Sequence, residues 1–182
     1  MIKKIIFSVL LSMQVMGAFC QDFYSLSFKD SQNNSVSLQS FSGKKIVIAV
    51  FDAAHPNEEF LKKLDTLYRN NSSTLQVIAV PLLDFGKAIS NDRLTALYNR
   101  LQLVFIISQP GNGKKVSGGE QQSILQWVTN KSANKHFDND VEEPGQLFVI
   151  DETGNLFAVM KSKVSPTSAA MTRVISTKFK KP

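Results

Sequence analysis

The sequence predicts an α/β fold, a mixed central sheet flanked by helices with an N-terminal β-hairpin. Three observations predict it. Residues 46–51 are continuously apolar and residues 75–80 apolar except for Gln76, both rich in β-branched side chains, as strands buried on both faces are. Segments with helical spacing of apolar residues follow each run. Finally, residues 146–150 and 156–160 flank Asp151-Glu152-Thr153-Gly154-Asn155, a strong hairpin signal, so the sheet takes antiparallel as well as parallel strands.

Residues 23–28 alternate apolar and polar, as a half-exposed strand does, and alternation resumes at 35–38 after the turn residues 30–34. These two are expected to pair as a hairpin. Ser42-Gly43-Lys44 is a further turn before the first buried strand. Pro56 and Asn57 are expected to open a helix whose stripe is Phe60, Leu61, Leu64, Leu67 and Tyr68, ended by residues 70–73. The second buried strand, 75–80, is expected to close at Pro81. Asn91 suits the N-cap of a helix carrying Leu94, Leu97 and Leu101. Residues 104–107 read as a short strand, 110–115 as a flexible turn, 123–130 as a helix and 166–175 as the last helix.

The N-terminus points to export. Lys3 and Lys4 precede an apolar run that ends near Phe19, the order of charge and hydrophobicity in a secretory signal peptide. Such a run, at about 1.5 Å per helical residue, is too short for a comfortable permanent membrane span. Residues 1–20 are therefore read as signal peptide and 21–182 as one domain, periplasmic or extracellular. Cleavage before Gln21 is preferred to lipidation at Cys20, because Phe19 is bulky where a lipoprotein signal needs a small residue.

Cys20 is the only cysteine, so on this reading the mature chain has no thiol and no intrachain disulfide. The formal charge of +6 falls to +4 without Lys3 and Lys4. Its excess gathers at Lys178, Lys180 and Lys181, a solvated tail. No basic stripe with interleaved aromatics suggests nucleic acid.

The ordered set of these segments resembles the glutathione peroxidases and their thioredoxin-like fold. The matching pieces are 23–30, Val36-Ser37-Leu38, Ser42-Gly43-Lys44 and the apolar strand after it. Ile78-Ala79-Val80-Pro81 with Asp84-Phe85-Gly86 is similar to the family's second strand and proline-led loop. Phe148-Val149-Ile150-Asp151, the Gly154 turn and Ser165-Pro166 are similar to its closing hairpin and last helix. The resemblance implies a reactive cysteine or selenocysteine after the first buried strand, supported by a glutamine, a tryptophan and an asparagine. This chain differs at every one of those positions. Ala53 or Ala54 falls at the nucleophile, Asp84 at the glutamine, and Glu143 and Pro144 at the tryptophan and asparagine. A methyl group cannot attack a peroxide. No cofactor, no metal and no catalytic residue are expected. The expected function is a non-catalytic binding module for a protein or small molecule.

Three other features were open to a chemical reading. Asp52, His55 and Asp84 could converge at the strand ends and hold a divalent metal or a proton carrier; solvated loop residues, with Asp52 capping, is the preferred alternative. His136, Asp138, Asp140 and Glu142 alternate as calcium ligands do, but lack the glycine that a calcium-binding hand requires, so an acidic surface loop is preferred. Trp127 lies on an apolar helical face and is expected in the core. The expected remnant of the active site is a shallow depression floored by alanine methyls and Leu82-Leu83 and rimmed by Asp52, His55, Asp84 and Glu143.

Overall fold

The computed structural model describes residues 22–87, 89–115 and 120–178. The signal segment, Cys20, Lys180 and Lys181 lie outside the described residues. Strands β1 (Ser27–Lys29) and β2 (Ser35–Ser37) form an antiparallel pair. They precede β3 (Lys45–Asp52), α1 (Glu58–Asn71), β4 (Leu75–Leu82) and α2 (Asn91–Leu101). Next come β5 (Ile106–Ile107), α3 (Ser123–Thr129), α4 (Lys131–Asn134), β6 (Leu147–Ile150), β7 (Leu156–Met160) and α5 (Ala169–Ser176). The main sheet has the order β5-β4-β3-β6-β7. β3 runs parallel to β4 and antiparallel to β6, so the sheet is mixed as expected.

The two apolar runs sit at the centre because both of their faces are covered. Val47 pairs with Val77 on one side and Val149 on the other, and all three are fully buried. Alternate residues of β3 serve different cores. Val47, Ala49 and Phe51 face Leu61, Leu64 and Leu67 of α1, Leu94 and Tyr98 of α2, and Met171 of α5. Ile46, Ile48 and Val50 face Ile124, Leu125, Trp127 and Val128 of α3 and the N-terminal Phe23, Leu26 and Leu38. Trp127 is a core residue, with its ring 5.0 Å from that of Phe23, edge to face.

Several boundaries differ from the expectation. Residues 23–25 form a 3-10 turn and only 27–29 a strand. Asp22 caps that turn by accepting from the Tyr24 N–H at 3.1 Å, and the turn delivers the adjacent Phe23 and Tyr24 to the core together, which strict alternation would forbid. β4 does not stop at Pro81 but runs through it to Leu82. The Leu82 carbonyl accepts from Ala53 N on the β3 side, whereas the Pro81 carbonyl accepts from Gly111 N on the opposite side. The missing N–H of Pro81 thus faces the flank where β5 has already ended, and no ladder bond is lost there.

Side-chain caps set the helix starts. Asn57 accepts from Phe60 N, which leaves Pro56 outside α1, and Ser90, not Asn91, caps α2. Ser168 caps α5, so Pro166 belongs to the preceding turn. Val104 stands before β5 because its N–H is taken by the Asp65 carboxylate at 3.0 Å.

Candidate functional site

The loops after β3 and β4 and the loop before β6 meet at one end of the sheet. Their ends are stitched by backbone bonds, Ala53 N to Leu82 O at 3.0 Å and Gly145 N to Val50 O at 2.8 Å. This is the end of an α/β sheet at which ligands commonly bind. Ala53 is fully buried and Ala54 is 9% exposed, so the methyls at the expected nucleophile position form part of the packing. Gly86 passes so close that a Cβ on it would stand 3.1 Å from the Ala54 methyl.

Asp52 caps this loop. One carboxylate oxygen accepts from Ala54 N at 2.7 Å and the other lies 3.2 Å from His55 Nδ1. The Asp52 side chain is mostly shielded while the His55 ring is 84% exposed, so the pair leaves the imidazole largely in solvent.

Asp84 has a different occupation from the one the sequence suggests. Its carboxylate accepts from Gly113 N at 2.6 Å and from Lys114 N at 3.3 Å. It therefore anchors the 111–115 segment. Gly113 is needed for that approach, because a Cβ there would fall 2.7 Å from Leu82 Cδ2 and 3.3 Å from Asp84 Oδ2. Lys115 completes the anchoring. Its N–H lies 3.1 Å from both Asp140 oxygens and its ammonium 2.8 Å from Asp138. The flexible turn expected at 110–115 is thus tied down by three carboxylates over its second half.

The same bonds account for the acidic run. Asp138 and Asp140 serve Lys115, and Glu142 lies 3.9 Å from Lys161. The Lys115 ammonium holds the Asp138 carboxyl below the usual carboxylate range. Among the described residues no group of three or more His, Cys, Asp or Glu side chains is arranged to hold a metal ion.

A cavity of about 450 Å³ opens beside the loop. Of the expected residues Asp52, His55 and Pro144 line it, together with Phe51, Asn57, Phe60, Gly145 and Ser162. Ala53, Ala54, Asp84 and Glu143 do not. Leu82 is fully buried and Leu83 is 39% exposed, so they form no floor. The depression lies toward α1 and the β7–α5 connection, because the Asp84 side of the loop is filled by residues 113 and 114. Phe60 was visible in the sequence only as part of the α1 stripe, and Ser162 carried no signal at all.

The sequence matches no protein-family model and no curated protein. Solved structures are nevertheless similar over most of the chain. The crystal structure of Trgpx in its apo form is 16% identical, covering 85% of this chain and 93% of that one with a TM-score of 0.65. T. cruzi GPX1 is 13% identical over 80% of this chain and 89% of its own, with a TM-score of 0.60. A thioredoxin-family thiol:disulfide interchange protein from Chlorobium tepidum is 15% identical over 85% and 92%, with a TM-score of 0.59. The chain has the thioredoxin-like fold that GPX proteins and thiol-disulfide oxidoreductases share.

Proposed function

We propose that this chain is an exported, non-catalytic member of the glutathione peroxidase lineage that binds a partner or small ligand at the end of the sheet carrying Asp52 and His55. Residues 1–20 are the signal peptide and 21–182 the mature domain. The observation that carries the reading is the pair of packed methyls, Ala53 and Ala54, where thiol peroxidase chemistry needs a sulfur or selenium exposed to peroxide. The three supporting positions hold Asp84, Glu143 and Pro144, and Asp84 is committed to two backbone amides.

The cavity beside the loop suits binding. Phe51 and Phe60 supply apolar wall, and Asp52, His55, Asn57 and Ser162 supply polar groups at its edge. A fold alone carries no activity, so the site decides. The test is a coupled assay of hydrogen peroxide and organic hydroperoxide reduction, with glutathione and separately with thioredoxin. No turnover above background is expected. Turnover abolished by alkylation would show that a working cysteine survives processing and would overturn the reading.

A second reading, proton transfer by His55, is favoured by one observation, the 3.2 Å contact that orients its ring on Asp52. It differs in outcome. His55→Gln would abolish such an activity, whereas under the binding reading it would only weaken ligand binding, since His55 is one of several polar groups at the cavity edge.

A further inference from the structure

The segment that Asp84 anchors carries the one asparagine of the chain that precedes a glycine, Asn112-Gly113. Asparagine is thermolabile, and the glycine that follows this one has no side chain to shield its backbone nitrogen. In an open chain the Gly113 nitrogen can attack Cγ of the Asn112 side chain. The new N–C bond closes a succinimide ring, and the side-chain nitrogen leaves as ammonia with the proton from Gly113 N. Water then opens the ring at either carbonyl and leaves aspartate or isoaspartate at 112. Water is the only co-reactant, and nothing is oxidised or reduced.

The fold pins the atoms that this reaction must move. The Gly113 N–H donates to Asp84 Oδ2 at 2.6 Å. On one side of it the Asn112 carbonyl accepts from Gln122 N at 3.0 Å, and on the other the Gly113 carbonyl accepts from Gln121 Nε2 at 2.6 Å. Gly111 and Asn112 pair as isolated bridges with Leu82 and Gln121, which holds the backbone before the glycine extended. Gly113 is itself buried, and a Cβ there would stand 2.7 Å from Leu82 Cδ2 and 3.3 Å from Leu125 Cδ1, so the peptide has little room to rotate. Of these contacts, the bond to Asp84 is the one that engages the attacking atom. We propose that Asn112 is a self-modification site held latent by the Asp84 carboxylate, which occupies the nucleophile and frees it only when the 111–115 segment opens.

The consequence follows from charge and backbone length. Aspartate at 112 puts a second negative charge one residue from the amide that the Asp84 carboxylate accepts, and the two repel. Isoaspartate also adds a methylene to the main chain, which shifts Gly113 N relative to its acceptor. Either product weakens the anchor that had prevented its formation, so release of the segment runs one way. Because the reaction starts from the open segment, its rate scales with the population of that open form.

The test is peptide-mapping mass spectrometry of the purified protein after prolonged incubation at mildly alkaline pH, beside a synthetic peptide of residues 109–115. Conversion of Asn112 is expected to be far slower in the folded protein than in the peptide. In Asp84→Ala it is expected to rise about thirtyfold, the fold-change that matches a loss of about 2 kcal/mol at about 1.36 kcal/mol per factor of ten. Asp84→Asn keeps one acceptor and is expected to give a rise of roughly fivefold, a comparison that stands even if Asp84→Ala fails to fold. Val77→Ala loosens the core and leaves the anchor in place, so Asn112 is expected to convert at the wild-type rate. Wild-type protein converting as fast as the peptide would overturn the proposal, as would Asp84 variants converting no faster than wild type. A rise in Val77→Ala equal to that in Asp84→Ala would also overturn it, by placing the protection in global stability. None of these outcomes depends on peroxide reduction or on ligand binding at the Asp52–His55 end.

Discussion

Replacing Asp84 by alanine separates its two roles, loop anchor and site residue. The carboxylate holds Gly113 N at 2.6 Å and Lys114 N at 3.3 Å, both part-buried bonds. A hydrogen bond to a charged group contributes about 1.5–3 kcal/mol when fully buried. The 3.3 Å bond is long and water can reach the loop, so both are discounted and a total loss of about 2 kcal/mol is expected. For a domain of this size that corresponds to a fall of roughly 4–8 °C in Tm. Asp84→Asn keeps one acceptor in place and should lose about half as much. Thermal denaturation measures the loss, and limited proteolysis locates it, with new cleavage expected in the 111–115 segment in Asp84→Ala only. An unchanged Tm together with unchanged cleavage would refute the anchoring role and return Asp84 to the ligand-facing position that its place in the sequence suggests.

Val77→Ala should destabilise the protein by about 1–3 kcal/mol, since Val77 is fully buried between β3 and the α1 side of the core; an unchanged melt would place β4 at the periphery. The Asp138 carboxyl, titrated by NMR, should ionise below the usual carboxylate range and move up toward it in Lys115→Met, the Lys131 backbone N–H and charge keeping part of the depression. Because the folded pKa is depressed, the Asp138–Lys115 contact favours the folded loop above the unfolded carboxylate pKa and is lost as pH falls through the folded one. High salt should shrink the shift, as both groups are largely exposed. Ala54→Cys should give a thiol but little peroxidase activity, because Gly86 crowds the site and Asp84 is held by Gly113 and Lys114; robust glutathione-dependent turnover would show that loss of the nucleophile alone silences the site.

The central strands, the order of elements and the closing hairpin were legible along the chain. Continuous β-branched runs such as 46–51 have one stable destination, a position covered on both faces. The 151–155 turn was equally plain, because Asp151 Oδ1 accepts from Thr153 N and Asn155 N within five residues. Element ends were less legible. Those at Pro81 and Val104 depend on partners distant in sequence, Gly111 and Asp65, which no local pattern displays.

The site divides the same way. That Ala53 or Ala54 falls at the nucleophile position, with Asp84, Glu143 and Pro144 at the supporting ones, is an expectation that the resemblance to glutathione peroxidases implies from the order of the segments. Which of them share a cavity does not follow from that order. Asp84 lies 29 residues from the Gly113 amide it binds, a partner that no local pattern displays. Phe60 and Ser162 join the cavity only because α1 and the β7–α5 connection pack against the same strand end. Only the packing of α2 against Phe51 and the hairpin turn buries the Tyr98 hydroxyl, which has no hydrogen-bond partner among the described residues. Residue types and their local order determine which strands and helices form. The direction in which a carboxylate or a phenol points is decided by long-range hydrogen bonds and packing, which exist only once the chain has closed on itself.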